Sequence, residues 1–340
     1  MTDADEDYFR KFPDHATREL LGNPGNLRDL VTRVAPDLVD HIDFSRTKSV
    51  EREFRLEDWR GREADRLFEL PYREAGMEVA VLVCLLVEHQ STPDAMMPFR
   101  LLQYAVLYWD RQWKNWRGKP APRDPLRLNA VLPIVLYTGN RPWMTNHQLS
   151  DLIAGPESLR ALAPHWPPLV WDITQRTPQE LLGETGAWLR SLAVVRAERE
   201  DRETFADVFR EVIESLEELA VTDKVRWHDL TRFVISWALR RRPRDEAADL
   251  KEIFTRTQQD RIHQKEVKEM IESTFQTWEE HVEEERNYAR RADLKRVVQK
   301  KFPDAPQDIL DRIDTIDDSA RLQELFDRAL DAKSLDDIPL

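Results

Sequence analysis

The chain has 340 residues, 41% hydrophobic and 34% charged, with a net charge of −13. That is enough for two domains, or for one domain with an extension, around a real core. The acidic balance argues against a protein that coats nucleic acid by charge alone, and the one cysteine, Cys84, excludes a disulfide framework within the chain.

The opening MTDADEDYFRKF carries no signal-peptide core, and no apolar run nears the ~20 residues of a membrane helix. A cytoplasmic protein with no membrane partner is expected. Residues 1–42 are expected to be helical, because Tyr8, Phe9, Phe12, Leu20, Leu21, Leu27, Leu30, Val31 and Val34 recur at helical spacing. Gly22-Asn23-Pro24-Gly25 splits this region in two. Asn26 is the expected cap of the second piece, which stops near Pro36.

Residues 49–59 give a first strand and READRLFELPY (62–72) a second, in which Ala64, Leu67, Phe68 and Leu70 suit a half-buried surface. Pro71 to Gly76 reads as the turn that follows. From Val79 to Val87 nine apolar residues run unbroken, the pattern of a strand buried on both faces. This strand is read as Val79–Gln90, with Cys84 as a buried structural thiol.

Pro98–Trp116 reads as a helix with Phe99, Leu102, Ala105, Val106, Trp109 and Trp113 on its apolar face. LRLNAVLPIVLY (126–137) is the next strand, and the intervening helix of crossover length makes it parallel to the strand at 79–90. Its Pro133 implies a bulge or an edge. Leu169–Ile173 is a last short strand. Helix, three strands, helix, strand, strand makes an α/β domain over residues 1–195.

A helical extension covers 196–260. One stripe is Phe205, Val208, Phe209, Val212, Ile213, Leu216 and Leu219, and a second runs from Val225 to Leu239 and ends in the cluster Arg240–Arg244. Residues 261–340 hold a charged long helix and two short terminal helices. Ile271, Phe275, Trp278, Val282, Glu285, Ala289 and Ala292 alternate by four and three, a seam of about three heptads that fits either homo-oligomerisation or packing within the chain.

The strand at 79–90 ends in Glu88-His89-Gln90. A charge at the rim of a core needs a partner, because desolvation is costly. Asp65 lies on the preceding strand, so neighbouring strands bring two carboxylates towards one edge. Two carboxylates about one hard cation make a Mg²⁺ site. Gln90, two residues after Glu88, leaves the same face of the strand, and the backbone carbonyl of His89 is a further metal donor.

This D…E-x-Q arrangement resembles the PD-(D/E)XK nuclease superfamily, with Gln in place of the usual Lys. More closely, the chain resembles the Rpn family of recombination-promoting nucleases, also labelled putative transposases. READRLFELPY (62–72), LLVEHQSTPDAMMPFRLLQYAVLYW (85–109), LPIVLYTGNRPW (132–143) and the closing segment 302–338 carry the resemblance. It implies a PD-(D/E)XK-like α/β core, a mixed central sheet flanked by helices, followed by an all-helical C-terminal region. It also implies a metal-dependent DNA endonuclease that promotes recombination or serves mobile elements, hydrolysing phosphodiesters with metal-activated water. Asp65 and Glu88 would be ligands of Mg²⁺, or of another divalent cation such as Mn²⁺ or Ca²⁺. Gln90 would take the lysine position, where it can act only by hydrogen bonding. Arg100, Gln103 and Tyr104 match a helix motif beside the site, and Glu19 and Asp29 are candidates for an acidic residue of the first helix.

Residues 98–127 contain seven Lys or Arg, including Arg111, Lys114 and Arg117, against Asp110 and Asp124, with Trp109, Trp113 and Trp116 interleaved. That is a patch suited to the DNA backbone. Two rival readings stand beside the nuclease: a DNA-binding accessory protein without cleavage, motivated by the missing lysine, and a helical interaction or oligomerisation protein.

Overall fold

The computed structural model describes residues 14–50, 66–88, 94–120, 125–139, 141–143, 148–257, 283, 287–288, 290–303, 305–332 and 334–338. The chain divides into two compact units, Met1–Thr257 and Gln258–Leu340.

The first unit opens with α1 (Asp14–Leu21) and α2 (Pro24–Val34). Asn23, not Asn26, caps α2: its side chain accepts from the Gly25 amide at 2.9 Å, and Pro24 takes the first helical position, where no amide is needed. Asn26 is fully buried and donates to the Leu20 carbonyl at 2.8 Å.

Among the described residues five strands form one mixed sheet in the order β1 (Lys48–Ser49), β2 (Arg66–Glu74), β3 (Met77–Glu88), β4 (Ala130–Tyr137) and β5 (Leu169–Asp172). β1, β2 and β3 pair antiparallel, and β3, β4 and β5 pair parallel, as the helix between β3 and β4 requires. The expected strand at 49–59 is seen only in its first residue, Ser49; residues 51–59 lie outside the described ones.

Two prolines behave differently from expectation. Pro71 is not the start of a turn but a strand residue opposite Ala80, and β2 runs on to Glu74. The turn is Ala75-Gly76, with φ of 49° and 79°, the left-handed pair of a type I′ hairpin. Pro133 sits opposite Cys84 in β4, an inner strand, without a bulge in that register. Pairing with β5 begins only at Ile134, so at Pro133 a single strand lies alongside and the missing N–H is tolerated.

The crossover helix α3 (Met97–Arg117) packs on one sheet face through Met97, Leu101, Ala105 and Tyr108, against Leu82, Cys84 and Leu86 of β3 and Val131, Val135 and Tyr137 of β4. This corrects the expected apolar face in part: Ala105 is buried and Trp109 packs against the core, but Phe99, Val106 and Trp113 are 40%, 51% and 43% exposed. The alternate residues of β3, Val81, Val83, Leu85 and Val87, are buried too, as a strand covered on both faces requires. α1 contacts β3 and α2 contacts β5.

After β5 come α4 (Ala187–Ser191), α5 (Arg202–Ser215), α6 (Lys224–Arg241) and α7 (Ala247–Thr257). α5 buries Phe205, Val208, Phe209, Val212 and Ile213 as expected, whereas Val225 at the start of α6 is 68% exposed. Within the cluster at 240–244, Arg242 is buried. It pairs with Glu246 at 2.8 Å and donates to the carbonyls of Glu198 and Glu200.

In the second unit, helical residues 290–301, α8 (Gln307–Asp314) and α9 (Ser319–Asp331) close around Leu294, Val298, Leu310, Ile313, Leu322 and Leu325. Lys301 donates to the carbonyls of Ala329 and Ala332 at the end of α9, where a cation also suits the helix dipole. Of the heptad seam only Ala292 is described, and it is exposed.

Candidate functional site at the carboxyl ends of the parallel strands

Three strands end on one row. Glu88 of β3 is opposite Tyr137 of β4, and Tyr137 is opposite Asp172 of β5. β2 runs the other way, so its first paired residue, Arg66, reaches the same end of the sheet opposite Leu85. In open sheets with parallel strands, ligands bind beyond the carboxyl ends.

Of the expected metal site, Asp65, His89 and Gln90 lie outside the described residues, and Glu88 is placed by its backbone alone, as the last residue of β3. Among the described residues no group of three or more His, Cys, Asp or Glu side chains is arranged to hold a metal.

The expected DNA contacts all lie on α3 but fall into two groups. Arg100 is buried in the first turn, 5% exposed, with Asp94 at 3.2 Å and the Met97 sulfur at 3.5 Å. Gln103 is half-buried, and its Oε1 has no hydrogen-bond donor among the described residues. Tyr104 packs against the core beneath α3. At 1.5 Å per residue, Arg117 stands about 25 Å further along the helix than Arg100. There Arg111 is half-buried and Lys114 is exposed and paired with Asp110 at 2.6 Å, while the Arg117 guanidinium lies over the Trp113 ring, 4.8 Å from its centre.

A polar network joins the middle of α3 to the sheet. The Tyr108 hydroxyl donates to Glu69 at 2.7 Å and accepts from Asn129 at 3.0 Å. The Trp109 indole donates to the Asn129 carbonyl at 2.9 Å, and Gln112 accepts from the Asn129 amide at 3.0 Å. Burial pushes the Tyr108 hydroxyl well above its ordinary pKa, so it remains a donor at neutral pH.

Of the two first-helix candidates, Glu19 is exposed on α1 and Asp29 is committed elsewhere. Asp29 pairs with Arg226 of α6 and accepts from the Trp188 amide at 3.1 Å, at the start of α4. Burial raises its pKa, opposed by Arg226 and by the Trp188 amide. Arg226 also donates to Asn26 at 2.7 Å. The carboxylate therefore joins α2, α4 and α6.

Sequence reasoning missed Asp172. Its carboxylate accepts four hydrogen bonds, from the Trp143 amide, the Thr174 amide and hydroxyl, and the Gln175 side chain, at 2.7 to 3.0 Å. The local pair, Asp172 and Thr174, is an Asx turn visible in the sequence; the bond to Trp143 is not. Trp143 is buried edge-on against Tyr137, with ring centres 5.1 Å apart.

The profile of the family described as "Putative transposase, YhgA-like" matches residues 13–225. The chain belongs to this family. Its match therefore takes in the whole sheet, α3 and the strand ends. A similar protein is the recombination-promoting nuclease RpnD of Escherichia coli O157:H7, 29% identical over 167 residues. That match covers 48% of this chain and 60% of the relative's length. No solved structure matches the chain. Among the described residues, no helix is long and apolar enough to cross a membrane.

Proposed function

We propose that this chain is a metal-dependent DNA endonuclease with a PD-(D/E)XK-like core, acting in recombination or for mobile elements. Membership of the family and a relative named a recombination-promoting nuclease support the reading. The observation that carries it is the antiparallel register of β2 on β3, which starts at Arg66, the residue after Asp65, close to the end of β3 at Glu88.

Asp65 and Glu88 are the carboxylates that would hold Mg²⁺ or a similar cation, with the His89 carbonyl as a further oxygen donor, a donor set suited to a hard ion. When bound, such an ion lowers the pKa of a water and offsets charge on the phosphoryl group. Gln90 orients water or the scissile phosphate by hydrogen bonding, since an amide neither carries charge nor takes a proton. Arg100, locked to Asp94, holds the first turn of α3 in place, and Gln103 offers an acceptor next to it. Lys114 and Arg117 meet backbone phosphates further along the duplex.

The decisive assay is plasmid nicking with Mg²⁺ by the wild type, Asp65→Ala and Glu88→Ala. The wild type should cut and both variants should fail; equal cutting by all three sinks the assignment. A second reading, binding without cleavage, is favoured by Gln90 standing where a lysine is usual. It predicts salt-dependent DNA binding with no product under any divalent ion.

A further inference from the structure

β5 is the last strand of the sheet, and among the described residues no strand pairs with its outer edge. A cavity of about 520 Å³ is lined by all five residues from Pro168 to Asp172. Side chains alternate along a strand, so a cavity touching five in succession follows the strand edge rather than one face. Arg33 at the end of α2, Trp143, Gln175 and Arg176 complete most of the wall.

The wall presents arginine donors beside acceptors, namely the Gln175 amide oxygen and the carbonyls along the unpaired edge of β5. Both oxygens of Asp172 are taken up by the four hydrogen bonds already described. Arg33 holds Glu184 at 3.0 Å and keeps a side chain 30% exposed. Arg176 faces Glu180 only loosely, at 3.8 Å, and is 38% exposed. Trp171 is 5% exposed, with its ring centre 6.2 Å from that of Trp188. Val34, Pro168 and Val170, each partly exposed, supply apolar surface beside these donors.

An anionic group joined to a flat apolar body fits this wall, and the volume falls in the range of small-molecule sites. Arginine forks suit phosphate, and apolar surface suits the flat face of a base. The row from Glu88 through Tyr137 to Asp172 spans two strand spacings, about 10 Å.

We propose that the cavity at the free edge of β5 is a nucleotide subsite, taking a phosphate on Arg33 and Arg176 and its base against Val34, Pro168 and Val170. The assignment rests on the nuclease reading for its purpose: it holds an unstacked nucleotide near the one to be cut.

The test is calorimetric titration of the full chain, in EDTA, with a deoxynucleoside 5′-monophosphate, with inorganic phosphate and with the deoxynucleoside. The nucleotide should saturate and bind more tightly than either fragment. Arg176→Ala should weaken it about tenfold or more, as expected for loss of a charged hydrogen bond. Arg176→Lys should keep part of the affinity, and thermal denaturation should show both variants folded. Lack of saturation at millimolar nucleotide overturns the proposal. So does unchanged affinity in Arg176→Ala, and so does phosphate binding as tightly as the nucleotide, which would make this a general anion site. No cation or cleavage enters the titration. A chain that binds nucleotide here but never nicks plasmid counts against the nuclease reading and leaves the subsite standing.

Discussion

Gly186→Ala tests the join between α2, α4 and α6. The backbone of Gly186 is ordinary, with φ −80° and ψ 130°, so alanine meets no conformational objection there. Space is the objection: a Cβ at this position would lie 2.5 Å from Cγ and 2.7 Å from Oδ2 of Asp29. Asp29 has little room to give way, because Arg226 and the Trp188 amide hold its carboxylate. Either the new methyl forces α2 and α4 apart, or Asp29 leaves a partly buried guanidinium behind. Overpacking costs about 1–3 kcal/mol and breaking a buried pair about 3–5 kcal/mol, so a loss of about 3 kcal/mol is expected. In a unit of this size that is a fall in Tm of about 6–12 °C. Gly183→Ala is the control. Its added Cβ meets only the Glu180 carbonyl at 3.5 Å and the Gln179 carbonyl at 3.7 Å, ordinary contacts. It should be neutral, or stabilising by about 0.5 kcal/mol through the unfolded chain. Urea unfolding of both variants decides the matter. Equal midpoints for Gly186→Ala and the wild type would show that Asp29 is not held where the packing puts it.

Three further outcomes follow from the same side chains. Burial raises the Asp29 pKa, so between the ordinary carboxylate range and the raised value the folded chain keeps a proton that the unfolded chain has released. Stability should therefore fall as pH rises through that window, and Asp29→Asn should remove this component of the slope in urea midpoints measured from about pH 4 upward. Arg100→Ala should lower stability by about 3 kcal/mol in thermal denaturation, because it leaves Asp94 without its buried guanidinium; an unchanged Tm would show that the pair contributes little. Lys114→Ala and Arg117→Ala, on the exposed end of α3, should leave Tm alone and reduce the salt slope of DNA binding by about 0.9 for each phosphate no longer neutralised, and an unchanged slope removes that end of the helix from the interface.

β3 was legible because nine successive apolar residues admit few other environments, and its parallel pairing with β4 followed from the crossover helix between them. The buried side of α3 was not legible. Phe99, Leu102, Ala105, Val106, Trp109 and Trp113 repeat at helical spacing as well as Met97, Leu101, Ala105 and Tyr108 do, so periodicity alone does not choose between two stripes that share Ala105. The sheet surface selects the stripe with Met97, Leu101 and Tyr108, whose hydroxyl finds Glu69 and Asn129. The prolines misled for a related reason. Pro71 lies beyond the β1 register, where Asp43 donates to its carbonyl at 3.0 Å, and Pro133 lies before the β5 register. Pro133 lies where one neighbouring strand is missing, whereas Pro71 lies beside the isolated bridge of Ile42 to Tyr72 and takes part through its carbonyl; both conditions are set by partners far along the chain. The same holds for Asp172, whose bond to the Trp143 amide spans 29 residues.

The mixed topology itself concentrates chemistry at one edge. An all-parallel sheet would send the beginning of β2 to the end opposite Glu88. The Ala75-Gly76 hairpin reverses β2, so the residue where its pairing starts and the residues where β3, β4 and β5 finish all meet at one edge. Ala75 takes a left-handed conformation that costs a residue with a Cβ about 1–2 kcal/mol, and the paired length of β2 on β3 sustains it. The hairpin therefore fixes the register that sets Arg66 opposite Leu85, although it sits at the far end of the sheet. A change of loop length there would shift which residue of β2 arrives near Glu88, and by the period of two a shift of one residue would turn it to the other face.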